Sequence, residues 1–469
     1  MSDHALPSRR RHRWLRIANI ALATVALFVI IVASVFALMG IGPFLTILGT
    51  TPPHDTRGIT NVLLLGIGDK NHDAADLTDA MMLVSLDPKT RSAVLLSIPR
   101  DLFVGERTDV RAGRINALYE QYKAFVRTQT RMSETGASLV AMRETGNVIG
   151  EKLGIPIHGV LLMDFTGFVK IIDALGGVDV EVSRTIVDAA YPIREGEIGT
   201  FAIDVGPHHL DGETALQYAR SRHSSTDFDR SMRQQQMLKS LAQKVESQGI
   251  LRDVRLVRSL PLLLHGHFLT TLTGKQFLGV LETAASTRML SILTMRLNFD
   301  IGTDVTDAAP GGFVTAAAPN LYESGAAILI PVSIPAMPPS WNQIQTLTQL
   351  LVDHRQIFLT HSRIWLRPLG TTMLDAHRLK NELLRYGFDA HQEKIVAKQN
   401  HELAVEQSSI TFARGADTPA ASFLGELLNM PVTLQPSTAS GGIAIMLGRD
   451  YRYAPIVSLL RRMDVRVNP

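Results

Sequence analysis

Residues 61–69, NVLLLGIGD, and residues 78–101, TDAMMLVSLDPKTRSAVLLSIPRD, decide the fold. They contain three apolar runs of strand length, at Asn61–Leu65, Met81–Leu86 and Ala93–Ile98, and runs of this kind between turn residues are typical of buried strands. The turn Asp87-Pro88-Lys89-Thr90 has its proline in the second position, which predicts an antiparallel hairpin between the second and third runs. These residues therefore predict the centre of a β-sheet.

Polar side chains stand at the ends of the predicted strands. Asp69 follows the first strand, Asp79 precedes the second, and Arg100 and Asp101 follow the third. Because ligands of open α/β sheets bind beyond the strand ends, these residues are candidates for a binding site, although ordinary loop polarity explains Asp69 equally well. A dinucleotide-binding or nucleotide-binding loop is excluded, since Asn71 stands where the third glycine is needed and no Walker sequence occurs.

The following segment predicts helices that cover this sheet. A long helical segment is predicted through Leu153, ended by Gly154, and is followed by a strand at 160–163, a helix at 164–175 and a strand at 178–182. This alternation predicts a βαβ unit and an α/β fold with a central mixed sheet flanked by helices. The apolar residues of 160–172 are typical of a simple core, and an acyl-chain pocket is the alternative.

The N-terminal residues predict a membrane anchor. Residues 1–16 contain five arginines against one aspartate, which is +4, so the remainder of a chain of net charge +3 is near −1. Residues 17–39 form a nearly continuous apolar run, and about 20 such residues span a bilayer. The positive-inside rule then predicts a single-pass protein of the cell membrane with a cytoplasmic N-terminus and an extracytoplasmic remainder, with a cleaved signal peptide as the alternative.

Composition excludes several classes of function. The excess positive charge lies in the tail and not on a folded face, so we expect no nucleic-acid partner. The chain has no cysteine, which excludes a thiol nucleophile, cysteine-ligated zinc and disulfides.

Residues 218–236 are rich in arginine. Crowded guanidinium groups indicate a bound anion, and their bidentate forks match phosphate oxygens, whereas a solvated helix face with local ion pairs is the alternative. A short helix is predicted to deliver Arg220 and Arg222 to a loop. A second helix, beginning near Asp227, is predicted to place Arg230 and Arg233 near its N-terminus, where the helix dipole adds positive potential.

Taken together and in this order, the motifs resemble the LytR-CpsA-Psr (LCP) family of membrane-anchored cell-envelope phosphotransferases. The matching sequences are NVLLLG at 61–66, TDAMML at 78–83, SIPRD at 97–101, RINA at 114–117, DALGGV at 173–178, LDGETALQYARSR at 210–222, and residues 227–236. They cover roughly residues 58–335.

The resemblance implies an extracytoplasmic enzyme that moves a glycopolymer from a polyprenyl-diphosphate carrier onto peptidoglycan, with Mg²⁺ as its cofactor. It assigns Asp79 and Asp69 to the metal and Gln234 to the substrate head group. It assigns the diphosphate to the arginines Arg100, Arg220, Arg222, Arg230 and Arg233, of which the first three are also expected to act on the transferring phosphoryl group. Asp101 and Asp227 are candidate general bases for the acceptor hydroxyl.

Two other functions are compatible with the same residues. One is a non-catalytic membrane-anchored binder of polyprenyl lipid or anionic wall polymer, and the other is a polyprenyl-diphosphate diphosphatase, in which water is the acceptor.

The proline-rich run at 331–339 predicts a domain boundary. The predicted organisation is a tail at 1–16, a transmembrane helix at 17–39, a linker at 40–57, an LCP catalytic domain at 58–335, a connector at 336–358 and a small α/β domain at 359–455. In the last of these, strands are predicted at 364–366, 409–413 and 443–447 and helices at 374–386 and 418–428. This domain is similar to the LytR C-terminal domain, and its lack of clustered acids, bases and metal ligands favours a binding or spacing role.

Overall fold

The computed structural model describes residues 51–69, 75–194, 197–221, 233, 236, 237, 240, 263–285, 287, 291–297, 311–317, 328–333, 340–393, 404–413, 415–435 and 442–467. The strands are β1 (Thr60–Gly66), β2 (Ala80–Asp87), β3 (Ser92–Ser97), β4 (Phe103–Val104), β5 (Gly113–Arg114), β6 (Gly159–Met163), β7 (Val178–Val182), β8 (Ile186–Arg194), β9 (Glu197–Ile203), β10 (Gly206–Leu210), β11 (Phe268–Thr270), β12 (Ile292–Arg296), β13 (Val314–Ala316), β14 (Leu329–Pro331), β15 (Arg363–Pro368), β16 (Asp389–Gln392), β17 (Ser409–Phe412), β18 (Val432–Leu434) and β19 (Ile443–Leu447). The α-helices are α1 (Leu118–Gln129), α2 (Glu134–Leu153), α3 (Phe165–Ala174), α4 (Gly212–Arg220), α5 (Gly274–Ala285), α6 (Asn342–Asp353), α7 (Gln356–Leu359), α8 (Met373–Arg385), α9 (Thr418–Leu428) and α10 (Ile456–Val467).

A six-stranded mixed sheet forms the centre of the first part of the chain, in the order β11-β6-β1-β2-β3-β12. The neighbours β1 and β2, and β2 and β3, are antiparallel, whereas β6 runs parallel to β1 and β12 parallel to β3. The predicted hairpin and the predicted central mixed sheet are therefore confirmed.

Both faces of this sheet are buried. Leu83 and Val84 are consecutive in β2 and point to opposite faces, yet they are only 0% and 3% exposed. One face shares a hydrophobic core with α3, α4 and α5 through residues such as Ile171, Tyr218 and Val280. Burial on both faces explains why the strands read as continuous apolar runs in the sequence.

The predicted βαβ unit is wrong at its second strand. β7 does not join the main sheet but pairs antiparallel with β10 in a two-stranded ribbon. Its side chains alternate between buried and exposed, with Asp179 and Glu181 on the exposed side. Such alternation is expected of a strand with one solvated face, whereas a central parallel strand would be apolar on both faces.

The long helical segment predicted through Leu153 is divided in the structure into two helices, α1 and α2. Thr130 is extended after α1, and its hydroxyl donates a hydrogen bond to the Val126 carbonyl oxygen at 2.8 Å. A threonine hydroxyl that satisfies the last carbonyls of a helix favours termination at that point. The predicted end at Gly154 is confirmed, since this glycine has a left-handed φ of 73°.

The first described residues pack closely against α5. A Cβ placed on Gly279 would lie 2.5 Å from the Pro52 nitrogen, so only glycine lets the chain pass here without displacement. The chain that leaves the predicted linker is thus held on this helix just before β1 begins.

The chain forms two compact units. The first contains the described residues up to Glu151 together with Pro156–Arg296, and the second contains Lys152–Ile155 and the described residues from Leu297 onward. The sequence placed its boundary at residue 335, so the two divisions differ.

The second unit contains a five-stranded sheet in the order β16-β15-β19-β17-β18. β15 is parallel to β16 and β19, and β17 is antiparallel to β19. The predicted strands and helices of this region are confirmed as β15, β17, β19, α8 and α9. Its likeness to the LytR C-terminal domain stays a prediction.

Within the described part of the chain, no helix is both long enough and apolar enough to cross a bilayer. The anchor predicted at 17–39 lies outside the described residues and stays a prediction.

Candidate active site

The candidate site lies at one edge of the six-stranded sheet, where β1, β3 and β6 end and β2 begins. Gly66, the last residue of β1, pairs with Ala80 at the start of β2 and with Met163 at the end of β6. Ser97, the last residue of β3, pairs with Met82. The segments that carry the predicted residues Asp69, Asp79, Arg100 and Asp101 therefore all leave the sheet at this edge.

Asp79 and Arg100 form an ion pair there. The Arg100 Nη1 lies 2.9 Å from the Asp79 Oδ1, and the same oxygen accepts a hydrogen bond from the Asn116 side-chain amide at 3.1 Å. The backbone supports this contact, because the Asn116 carbonyl oxygen accepts from the Thr78 amide and the Asn116 amide donates to the Arg100 carbonyl oxygen. The Asp79 side chain is 45% exposed, so solvent can reach it.

Asp101 lies between two arginines. Its Oδ2 is 3.6 Å from the Arg100 Nε, and its Oδ1 is 3.3 Å from the Arg114 Nη1. Arg114 is placed by β5, which pairs with β4 just after Asp101 in the chain. The two carboxylates and two guanidinium groups form a chain of contacts along the edge, and the net charge of these four groups is zero.

Asp69 contacts the start of α3. Its Oδ1 accepts a hydrogen bond from the Thr166 backbone amide at 2.9 Å. Asp164 caps the same helix by accepting from the Gly167 amide at 2.8 Å. Both carboxylates thus satisfy amides that have no partner within the first helical turn.

Arg220 is the residue through which the arginine-rich segment reaches this edge. It ends α4, and its guanidinium carbon lies 4.5 Å from the centroid of the Phe165 ring and 5.7 Å from that of Tyr191. Phe165 directly precedes Thr166, the residue that holds Asp69. Residues predicted from two distant parts of the sequence, Asp69 and Arg220, therefore contact neighbouring residues of one helix.

The Tyr191 hydroxyl also lies beside this guanidinium, with the Arg220 Nη1 3.5 Å from its oxygen. Burial raises the pKa of Tyr191, while the positive charge of Arg220 acts to lower it. The tyrosine therefore stays neutral at physiological pH and offers its ring face and hydroxyl to the arginine.

Arg233 is held inside the protein. It is 5% exposed, and its Nε donates to the Tyr218 carbonyl oxygen at 2.9 Å while its Nη2 donates to the Ser221 carbonyl oxygen. Ser221 is itself buried and donates to the Asp188 carboxylate at 2.9 Å. These contacts fix the backbone on both sides of Arg220. The assignment of Arg233 to the diphosphate stays a prediction.

Four other predicted site residues, Arg222, Asp227, Arg230 and Gln234, lie outside the described residues. Their assignments to the diphosphate, to the general base and to the head group stay predictions.

Arg296 is a candidate that the sequence reasoning missed. It is the last residue of β12 and pairs with Ser97, three residues before Arg100. Burial lowers the pKa of its guanidinium, so the protein holds this cation away from bulk water at the same sheet edge. The available signal was an arginine at the end of an apolar run of strand length, Ile292–Met295.

The carboxylates at this edge suit magnesium. Mg²⁺ is bound in phosphoryl-transfer sites by one or two carboxylates and keeps several waters and substrate oxygens. Asp79 uses Oδ1 for both of its contacts and Asp69 uses Oδ1 for Thr166, so the second oxygen of each carboxylate is not engaged by these bonds. Among the described residues, no group of three or more His, Cys, Asp or Glu could hold a metal ion.

Arginines and aspartates at the strand ends of this mixed sheet define an α/β protein with a charged sheet edge. Residues 48–300, or 253 of 469, match the model of the LytR_cpsA_psr family. The protein therefore belongs to the LytR_cpsA_psr family, which confirms the resemblance seen in the motifs.

Two curated relatives come from Bacillus subtilis (strain 168). The chain is 32% identical over 191 residues to the polyisoprenyl-teichoic acid–peptidoglycan teichoic acid transferase TagT, across 40% of this chain and 53% of TagT. It is also 32% identical over 200 residues to TagV, which has the same enzyme name as TagT, across 40% of this chain and 44% of TagV. The match spans about half the length of these relatives.

Among solved structures, the crystal structure of B. subtilis TagV is 23% identical, with a TM-score of 0.44 over 64% of this chain and 99% of that chain. Because this TM-score is low, the family assignment rests on the sequence match.

Proposed function

We propose that this protein is a phosphotransferase that moves a glycopolymer from a polyprenyl-diphosphate carrier onto a hydroxyl of peptidoglycan. The observation that carries the proposal is the convergence of Asp79, Arg100 and Arg220 on the sheet edge, with Arg220 stacked on Phe165. Transfer of a phosphoryl group needs mainly positioning and stabilisation of negative charge, and guanidinium groups at a half-exposed edge supply both. The names of the relatives TagT and TagV describe the transfer of teichoic acid to peptidoglycan by those proteins.

Apolar residues beside the edge support a lipid-linked donor. Several side chains of the sheet and its covering helix are packed against the core but only partly buried, among them Leu64, Met82, Met163, Phe168 and Phe268. Met163 and Met82 are register neighbours of Gly66 and Ser97, at the ends of their strands. A partly buried apolar surface that leads to an anion-binding edge suits a polyprenyl chain joined to a diphosphate.

In the proposed reaction, the acceptor hydroxyl oxygen attacks the phosphorus that carries the glycopolymer. The bond between this phosphorus and the bridging oxygen breaks, polyprenyl phosphate leaves, and the acceptor proton passes to a base. Asp101 is the described candidate base, and Asp227 is the other. Arg100 and Arg220 lie where they can bind non-bridging oxygens, and a guanidinium binds two such oxygens at once.

Magnesium is the cofactor that we propose, held by Asp79 and Asp69. When bound, it would neutralise negative charge on the diphosphate. Asp79 then has two roles, since its carboxylate also orients Arg100 through the ion pair at 2.9 Å.

We also propose that the protein is anchored in the cell membrane by residues 17–39 and works outside it. A donor that already carries a diphosphate needs no ATP, so the reaction can run in a compartment without nucleotide. The lipid carrier and the anchor would then share one bilayer.

The proposal is tested by measuring polyprenyl phosphate released from a polyprenyl-diphosphate oligosaccharide by the full-length protein in detergent with Mg²⁺, with and without peptidoglycan fragments. We expect release that requires the acceptor, together with glycopolymer bound to the fragments. Equal release without the acceptor would assign the protein as a diphosphatase, and donor binding without turnover would assign it as a binder.

Arg220→Lys keeps the charge but loses the planar fork, so we expect kcat/KM to fall by roughly 100-fold. Arg378→Lys is the matched control, because Arg378 also lies over a tyrosine ring, that of Tyr453, but in the second unit. A loss shared equally by both variants would contradict the assignment of Arg220.

A further inference from the structure

The five-stranded sheet of the second unit has one buried face and one accessible face. In β15, Ile364 and Leu366 are 1% and 0% exposed, whereas Trp365 between them is partly exposed. β17 and β19 follow the same alternation, with Ile410, Ile443 and Ile445 buried. Among the described elements, α8 packs on β15 and β16 and α9 packs on β17 and β18. The side chains that alternate with these buried residues, such as Trp365, therefore lie on a face that solvent can reach.

The strand register places a row of side chains across this face. His391, Trp365, Ala444, Thr411 and Thr433 are successive register partners on β16, β15, β19, β17 and β18. The Trp365 ring is stacked on the His391 imidazole, with centroids 4.8 Å apart and an angle of 29° between the planes. The imidazole is fixed in turn, because its Nε2 lies 2.8 Å from the Asp389 Oδ1.

The two sides of the indole ring differ. His391 covers one side, and toward the next strand the register partner of Trp365 is Ala444, with Met446 two residues further along that strand and Thr411 one strand beyond. Neighbouring strands are about 4.8 Å apart, so Ala444 and Thr411 form a floor about two strands wide beside an aromatic wall. We call this feature the indole slot, defined by Trp365, Ala444 and Thr411.

The charged residues around the indole slot are paired with one another. The Arg367 Nε donates to the Glu393 Oε1 at 2.9 Å, and the Arg363 Nε lies 3.6 Å from the Asp389 Oδ2. The charges of these four described side chains, two positive and two negative, cancel. An anionic polymer gains nothing from such a rim, whereas an uncharged ligand with many hydroxyl or amide groups finds both donors and acceptors there.

We propose that the indole slot binds a sugar ring of an uncharged glycan strand, such as the N-acetylhexosamine backbone of peptidoglycan. One face of a pyranose ring presents C–H groups and suits the indole, while its equatorial hydroxyl and amide groups lie in the plane of the rim. In the indole slot, the Trp365 ring can pack on the C–H face of the sugar, while the Thr411 hydroxyl and the charged side chains of the rim can bind its polar groups. The choice of peptidoglycan as the source rests on the proposed function, but binding of the sugar does not require transfer activity.

The test is titration calorimetry of the full-length protein in detergent with chitotetraose, an uncharged β-1,4 N-acetylglucosamine tetramer. We expect wild-type binding, and a roughly tenfold or greater loss of affinity in Trp365→Ala, which corresponds to about 1.4 kcal/mol. Trp365→Phe should retain part of the affinity because it keeps an aromatic wall.

Ala444→Leu is the variant that separates binding from folding, because it retains Trp365 and fills the slot. We expect it to abolish binding, and Ser422→Leu, at an exposed position of α9, to leave binding unchanged. Unaltered affinity in Ala444→Leu, absence of wild-type binding, or preference for a poly(glycerol phosphate) chain over chitotetraose would overturn the proposal. Glycopolymer transfer is measured on the same variants, so loss of sugar binding with retained turnover leaves the proposed function in place.

Discussion

Replacing Asp79 by asparagine should separate activity from stability. The substitution removes one negative charge and preserves the shape, so the Asn116 amide can still donate to the side-chain oxygen that it contacts at 3.1 Å. What is lost is the ion pair to Arg100, whose side chain is 14% exposed while that of Asp79 is 45% exposed. Because the Asp79 carboxylate is nearly half exposed and Arg100 keeps Asp101 at 3.6 Å as a second partner, loss of this pair should lower the free energy of unfolding by about 1 kcal/mol or less.

The effect on catalysis should be much larger, because Asp79 is the proposed magnesium ligand and also orients Arg100. Loss of one group that stabilises developing charge typically costs a factor of about 100 or more in rate, or at least roughly 2.7 kcal/mol. We therefore expect kcat/KM for polyprenyl phosphate release to fall at least 100-fold, while the free energy of unfolding in urea changes by about 1 kcal/mol or less.

Asp179→Asn serves as the control, since Asp179 is a 78% exposed aspartate on the ribbon formed by β7 and β10. It should leave both quantities close to the wild type. The reasoning is refuted if Asp79→Asn lowers the free energy of unfolding by more than about 3 kcal/mol, or if its kcat/KM stays within a few-fold of the wild-type value.

Three further predictions concern other buried ionisable groups. Arg296→Met should lower kcat/KM for the diphosphate donor, and Arg296→Lys should lower it less, as measured by the same release assay. Burial raises the pKa of Tyr218 to about 12 against 10.0, so the unfolded chain ionises first and the free energy of unfolding should fall by up to roughly 3 kcal/mol between pH 10 and 12. Tyr218→Phe should lose that part of the decline in alkaline urea titrations. Burial also raises the pKa of Glu382, which accepts from the Ile456 amide, above 4.5, so native Glu382 holds its proton more tightly than the unfolded chain. Its contribution to stability should therefore be lost as pH rises from about 4.5 through the native pKa, and Glu382→Gln should flatten this dependence in urea denaturation measured from pH 4 to 8.

Sequence reasoning succeeded where burial leaves a direct pattern. β1, β2 and β3 are covered on both faces, so their residues are continuously apolar and bounded by turns. Sequence reasoning failed at β7, because a helix and a strand of the lengths typical of a βαβ unit follow β6 there. The alternating Asp179 and Glu181 were the signal for a solvated ribbon, and the expected βαβ order concealed it.

The candidate site was predictable as two sets of residues and not as one place. Spacing along the chain placed Asp79 and Arg100 at strand ends, whereas the register between β1 and β2 is known only from the structure. It could not show that Arg220 would stack on Phe165, because a cation–π contact across the fold depends on how α3 and α4 pack. The predicted helix placed Arg230 and Arg233 together near its N-terminus but could not show that Arg233 points into the protein, toward the Tyr218 and Ser221 carbonyl oxygens.

The close packing of Pro52 on Gly279 fixes the point at which the chain becomes part of the fold. If residues 17–39 are the proposed anchor, only residues 40–51 separate it from that point. A dozen residues, fully extended, reach roughly 40 Å. The domain would then work on a short tether, confined to a shallow layer above the bilayer. Lipid carriers diffusing in that bilayer would meet it at a high effective concentration, whereas acceptor sites farther out in the wall would stay beyond its reach.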